Sequence, residues 1–159
     1  MNRVLIIGYG NPDREDDGVA WHILQALSSR YGCPVLETDG DISGQAGNLQ
    51  LVFTLQLTPE MAEPIAGYER VCFVDAHTGA YADEVRAVTV QPGFQASPFT
   101  HHLTPESCLS LAETLYGHAP PALVVSVRGY RFGYRRGLSP QTERLVTVAV
   151  ERITTWLSA

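Results

Sequence analysis

Three short, almost uninterrupted apolar runs constrain this chain more than anything else in it: Val4–Ile7, Arg70–Val74 after its first residue, and Ala122–Val127. A strand with one face in water alternates apolar with polar residues, whereas a run apolar at nearly every position must be covered on both sides. Helical spacing fills the gaps between the runs. Val19, Ile23, Ala26 and Leu27 recur towards Tyr31-Gly32, and Cys108, Leu111, Ala112 and Leu115 form one face down to Tyr116-Gly117. Leu145, Val148, Ala149, Ile153 and Trp156 supply the stripe of a last helix. Thr58-Pro59-Glu60, Thr104-Pro105-Glu106 and Ser139-Pro140 read as helix starts, each with a capping hydroxyl before a first-turn proline. Pro34–Glu37 and Gln50–Leu55 are expected as strands on either side of a glycine-rich loop, Asp39 to Asn48, and Glu84–Val90 as a half-exposed strand. The pattern predicts an α/β three-layer sandwich, with a largely parallel twisted sheet of about five strands and helices on both faces.

With 159 residues and no low-complexity stretch or repeat, residues 1–159 are expected to form a single domain. No apolar run approaches the roughly 18 residues of a membrane span, so membrane insertion is not expected. Met-Asn-Arg and the four apolar residues that follow are too short for a secretory signal, which points to a cytoplasmic protein. Eleven arginines, no lysine and seventeen acids leave a net charge of −6, a poor match for a nucleic acid backbone. Cys33, Cys72 and Cys108 are odd in number and widely spaced, and read as buried reduced thiols.

In sheets of this kind ligands bind beyond the carboxyl ends of the strands. Two acidic features fall there: Asp17, in the turn Gly8-Tyr9-Gly10-Asn11-Pro12-Asp13-Arg14-Glu15-Asp16-Asp17-Gly18, and Asp75, which ends the second apolar run. The turn is no dinucleotide loop, because Asp13 stands at the third glycine position and four acids surround Arg14. Asp13, Glu15 and Asp16 read as first-turn acids that complement a helix dipole, with Asp16 alternatively a cap. Asp17 precedes Gly18, which admits a close neighbour, and Asp75 follows a wholly apolar stretch, where a carboxylate needs a partner. His101-His102 precedes a helix start, while His22, His77 and His118 read as structural or surface residues. Two carboxylates and an imidazole suit a borderline divalent ion such as nickel or zinc. An aspartic dyad is the competing use of the two acids, and it requires them within hydrogen-bond distance.

Several blocks in order resemble the endopeptidases that mature nickel–iron hydrogenases. They are Gly8-Tyr9-Gly10-Asn11-Pro12 with Arg14 and Asp16-Asp17-Gly18, then Gln56-Leu57-Thr58-Pro59-Glu60, and Phe73-Val74-Asp75-Ala76. Later come Thr100-His101-His102-Leu103-Thr104-Pro105, Leu111 to Gly117, Val127-Arg128-Gly129 and Gly137-Leu138-Ser139-Pro140. Ala20 stands where that family often has glycine, and Phe53-Thr54-Leu55 lacks a histidine that related sequences often carry.

The resemblance implies a cytoplasmic endopeptidase that removes the carboxyl-terminal extension of a hydrogenase large-subunit precursor after nickel insertion. It implies Asp17, Asp75 and His101 as metal contacts, with Asp17 and Asp75 also catalytic, and Gly10, Asn11 and His102 beside the substrate. His101 is preferred to His102 because it directly follows Thr100. Nickel is expected to come with the precursor, with no permanently bound cofactor and a monomeric protein. Glu60 is expected in a helix start and Arg128 beside an acid near the cleft. The alternatives are a non-catalytic nickel or precursor-binding chaperone and a small-molecule metal hydrolase.

Overall fold

Strand β1 (Val4–Tyr9) lies inside a mixed sheet and explains why its run is apolar throughout. Val4 and Ile6 face one helical layer, Leu5 and Ile7 the other, and none is more than 5% exposed. The computed structural model describes residues 2–34, 36–38, 41–93 and 103–159, with backbone alone at 36–38, 41 and 42. After β1 come a 3-10 turn at Glu15–Gly18, α1 (Val19–Tyr31), β2 (Leu36–Thr38), β3 (Asp41–Ala46) and β4 (Leu49–Thr54). A 3-10 turn at Pro59–Met61 leads into α2 (Ala62–Ala66), followed by β5 (Arg70–His77), β6 (Val85–Val90), α3 (Pro105–Tyr116), β7 (Ala122–Arg128) and α4 (Pro140–Ser158).

The described strands form one seven-stranded sheet in the order β2-β3-β4-β1-β5-β7-β6. Its centre is parallel, as β1 pairs with β4 and β5, and β5 with β7; the outer pairs β2-β3, β3-β4 and β6-β7 are antiparallel. Helices α1 and α4 cover one face, α2 and α3 the other, so the expected three-layer α/β sandwich is present. No helix among the described residues is long and apolar enough to cross a membrane. The thiols of Cys33, Cys72 and Cys108 are buried and free.

The expected loop from Asp39 to Asn48 is a correction: its centre is β3. Gly44 is there for space, since a Cβ on it would stand 2.3 Å from the Pro34 carbonyl oxygen. Gly47-Asn48 forms the turn into β4, with Gly47 at φ +57°, a backbone region that favours glycine. Two further positions differ. On α3 the buried stripe ends at Ala112, leaving Leu115 62% exposed in a last turn that stands clear of the layer. On α4 it is Val150 that is buried, while Val148 lies on the outer face. Thr104 and Ser139 cap their helices as expected, accepting the amides of Ser107 and Thr142, whereas the Thr58 side chain accepts no capping bond.

Candidate active site

The chain leaves β1 for β4 on one side and later returns to β5 on the other, so the connections diverge around the carboxyl end of β1. Such a switch point opens a crevice. A cleft of about 250 Å³ occupies it, lined by Tyr9, Gly10, Asp17, Leu55, Gln56, Leu57, Asp75, Ala76 and Leu103. Asp17 and Asp75, 58 residues apart in the sequence, therefore line one cleft.

Asp17 is aimed by the tightness of its loop. Gly10, at φ +139°, lies against the main chain of Asp17, and a Cβ added there would meet the Asp17 carbonyl oxygen at 2.1 Å. The Asn11 amide donates to Asp17 Oδ2 at 2.8 Å, and the Asp17 amide donates to the Arg14 carbonyl. Gly10→Ala brings both a steric clash and an unfavourable φ, so it is expected to cost about 2–3 kcal/mol. Urea denaturation measures that loss.

Asp75 sits where β5 leaves the sheet's interior. Its Oδ2 accepts the Tyr9 hydroxyl at 2.7 Å. Its Oδ1 is buried and has no hydrogen-bond partner among the described residues. Burial pushes the Asp75 carboxyl above the usual carboxylate range, and the hydroxyls of Ser126 and Tyr9 pull in the opposite direction without reversing it. Burial, together with Asp75, also raises Tyr9 well beyond the ordinary tyrosine range, so its hydroxyl remains a donor. Tyr9 belongs to the site but is absent from the sequence-derived candidates. The signal was its position at the end of β1, on the strand next to the one that carries Asp75.

Each carboxylate has its own donor, the Asn11 amide on Asp17 Oδ2 and the Tyr9 hydroxyl on Asp75 Oδ2. Gly10 lines the cleft, and Asn11 contributes its amide to Asp17. His101 and His102 lie outside the described residues. Among those described, no group of three or more His, Cys, Asp or Glu is arranged to hold a metal ion.

Glu15 and Asp16 stand in the first turn of the 3-10 helix, as expected, with Asp13 ahead of it, and their side chains have further partners. Asp16 is fully buried and takes five donors. Oδ2 accepts the amides of Tyr130 and Arg131 and the hydroxyls of Ser139 and Thr142, and Oδ1 accepts the Ser139 amide at 2.7 Å. Burial pushes its carboxyl upward, but the Ser139 hydroxyl and these amides outweigh it and hold it below the usual range. Asp13 pairs with Arg136, and Glu15 lies near Arg131 and Arg135. Arg14 pairs with none of its neighbouring acids; it donates to the Phe132 carbonyl and lies over the Tyr134 ring.

Arg128 is a further correction, since among the described residues it makes no ion pair. It stacks on Tyr130, and its Nε donates to the Gly129 carbonyl. His77 is structural: Nδ1 accepts the Gly79 amide, which leaves Nε2–H to donate to the Asp83 carbonyl. Glu60 stands in the 3-10 turn before α2.

No protein-family model matches the chain, and no curated protein is similar in sequence. Solved structures are similar in shape. The hydrogenase maturating endopeptidase HybD from E. coli superimposes with a TM-score of 0.68 at 19% identity, over 98% of this chain and 92% of that one. The fold is that of the hydrogenase maturation proteases. The NiFe hydrogenase maturation protease HybD from Thermococcus kodakarensis gives a TM-score of 0.66 at 19% identity, over 97% and 98% of the two chains. HycI from the same organism gives 0.65 at 18% identity, over 99% and 94%.

Proposed function

We propose that the chain is an endopeptidase of hydrogenase maturation, which removes the carboxyl-terminal extension of a large-subunit precursor once nickel is in place. The observation that carries this reading is the meeting of Asp17 and Asp75 in one cleft, at the switch point of a fold with the shape of those proteases. An Asp75 oxygen without a partner among the described residues supports a role for that carboxylate towards something that arrives, whether a metal ion or a water to be deprotonated.

In this reading nickel is part of the substrate. Asp17, Asp75 and His101 engage it, while Gly10, Asn11 and His102 flank the peptide. Oxygen and nitrogen donors suit such an ion, and its charge would polarise the scissile carbonyl. Where Asp75 acts instead as general base on water, its Oδ1, buried and without a partner among the described residues, is the oxygen that takes the proton. The Tyr9 hydroxyl fixes its orientation from the opposite oxygen.

The test is to incubate the protein with nickel-loaded large-subunit precursor and weigh the product. The expected result is a precursor shortened at its carboxyl end, and no shortening when nickel is omitted. A stable complex of unchanged mass would instead identify a chaperone that binds nickel or precursor. Hydrolysis of a small substrate by protein purified with a bound metal would identify a metal hydrolase.

A further inference from the structure

The cleft continues past Asp75 into a second hollow of about 370 Å³, which shares Tyr9, Asp75 and Leu103 with it. The hollow runs over β6, which α4 packs on the other face, and Arg86, Val88 and Val90 point into it at alternate positions. Strand β6 ends the sheet, so its outer backbone edge carries no further strand among the described residues. An extended peptide can pair with such an edge and place every second side chain in a neighbouring groove.

Arg86 supplies the chemistry. Its guanidinium lies 4.0 Å above the Tyr81 ring. Among the described residues it makes no ion pair, although Asp75 and Glu106 line the same hollow. The connection from 94 to 102 contains no acidic residue that could serve it. A guanidinium stacked on a ring keeps its planar edge available for two parallel bonds to a carboxylate.

We propose that the released side of the peptide substrate lies as an extended strand along the outer edge of β6, with alternate side chains in the hollow, and that Arg86 binds a carboxylate on that segment. This rests on the peptidase reading of the cleft. A cation on an edge strand also guards against sheet-to-sheet association. That role alone would make Arg86 matter for self-association and leave substrate binding untouched.

The experiment uses the full chain, its Arg86→Gln and Arg86→Lys variants, and nickel-loaded precursor. It also uses a synthetic peptide of the precursor's extension, made as free acid and as amide. Arg86→Gln is expected to raise KM about tenfold with kcat nearly unchanged, and Arg86→Lys to recover part of the loss. In peptide binding, a preference for the free acid that Arg86→Gln abolishes assigns the terminal carboxylate. Equal binding of acid and amide, weakened by Arg86→Gln and by amidating an acidic side chain of the peptide, assigns that side chain. Unchanged KM and unchanged peptide binding in Arg86→Gln overturn the proposal and leave the peptidase reading intact. If wild-type protein leaves the precursor whole, the peptidase reading fails, and the peptide arms alone decide whether Arg86 binds carboxylates.

Discussion

Asp75→Asn is expected to lower kcat for precursor cleavage by about a thousandfold, the usual range for loss of a positioned general base or of a charge that stabilises the transition state. The same substitution is expected to make the fold more stable at neutral pH. Burial raises the Asp75 carboxyl in the folded chain above its value in the unfolded one. As pH climbs from the unfolded value to the folded one, the unfolded chain gives up its proton first. Stability is therefore complete below the unfolded value and declines until the folded value has been passed. Asparagine carries no such charge and can still accept the Tyr9 hydroxyl. Thermal melts of both proteins should nearly coincide in the proton contribution around pH 4 and diverge in favour of the variant by pH 7. Cleavage kept at the wild-type rate would remove Asp75 from the chemistry, and a variant less stable at neutral pH would contradict the burial argument.

The second large effect lies at Asp16. Asp16→Ala takes away the acceptor of five donors, three of them backbone amides, and only the Thr142 hydroxyl keeps another, the Arg128 carbonyl. A loss of about 4 kcal/mol is expected, or a fall in Tm of about 10 °C for a chain of this size. Asp16→Asn is expected to recover only part, because one end of the amide carries hydrogens where the carboxylate offered lone pairs. The sign with pH is opposite to that of Asp75. The Asp16 carboxyl is held below its ordinary value, so its contribution is full above the unfolded value and fades as pH falls through the folded one. The gap between wild type and Asp16→Ala should accordingly narrow in acid, which urea denaturation at two pH values would measure. A gap independent of pH would mean that the ionised carboxylate is not what holds the network.

Asp17 and Asp16 are adjacent, yet the sequence revealed them unequally. Asp17 and Asp75 were legible because Asp75 ends one apolar run, Asp17 lies before Gly18 in the turn after another, and the ends of parallel strands share one rim. The network of Asp16 was hidden because every partner of its side chain lies 114 to 126 residues away, beyond the reach of a local helix-start argument. Tyr9 was hidden by its resemblance to an ordinary aromatic at a strand end; only the register of β1 on β5 brings it to the acid. The parallel centre and both helical layers could be read from period alone. Strand β3 could not, because an outer strand rich in Ser, Gly and Gln lacks the apolar signal that marks a buried one.

The bonds that Asp16 makes also set an order of events during synthesis. Its acceptor oxygens wait for groups at positions 130 to 142. A ribosome that has delivered only the first hundred or so residues has supplied the loop of Asp17 with its local bonds, but none of the groups that hold Asp16 beside it. The nascent chain thus carries Asp17 beside a neighbour that is not yet tied down, and completes that rim of the cleft only when the segment between β7 and α4 has been made.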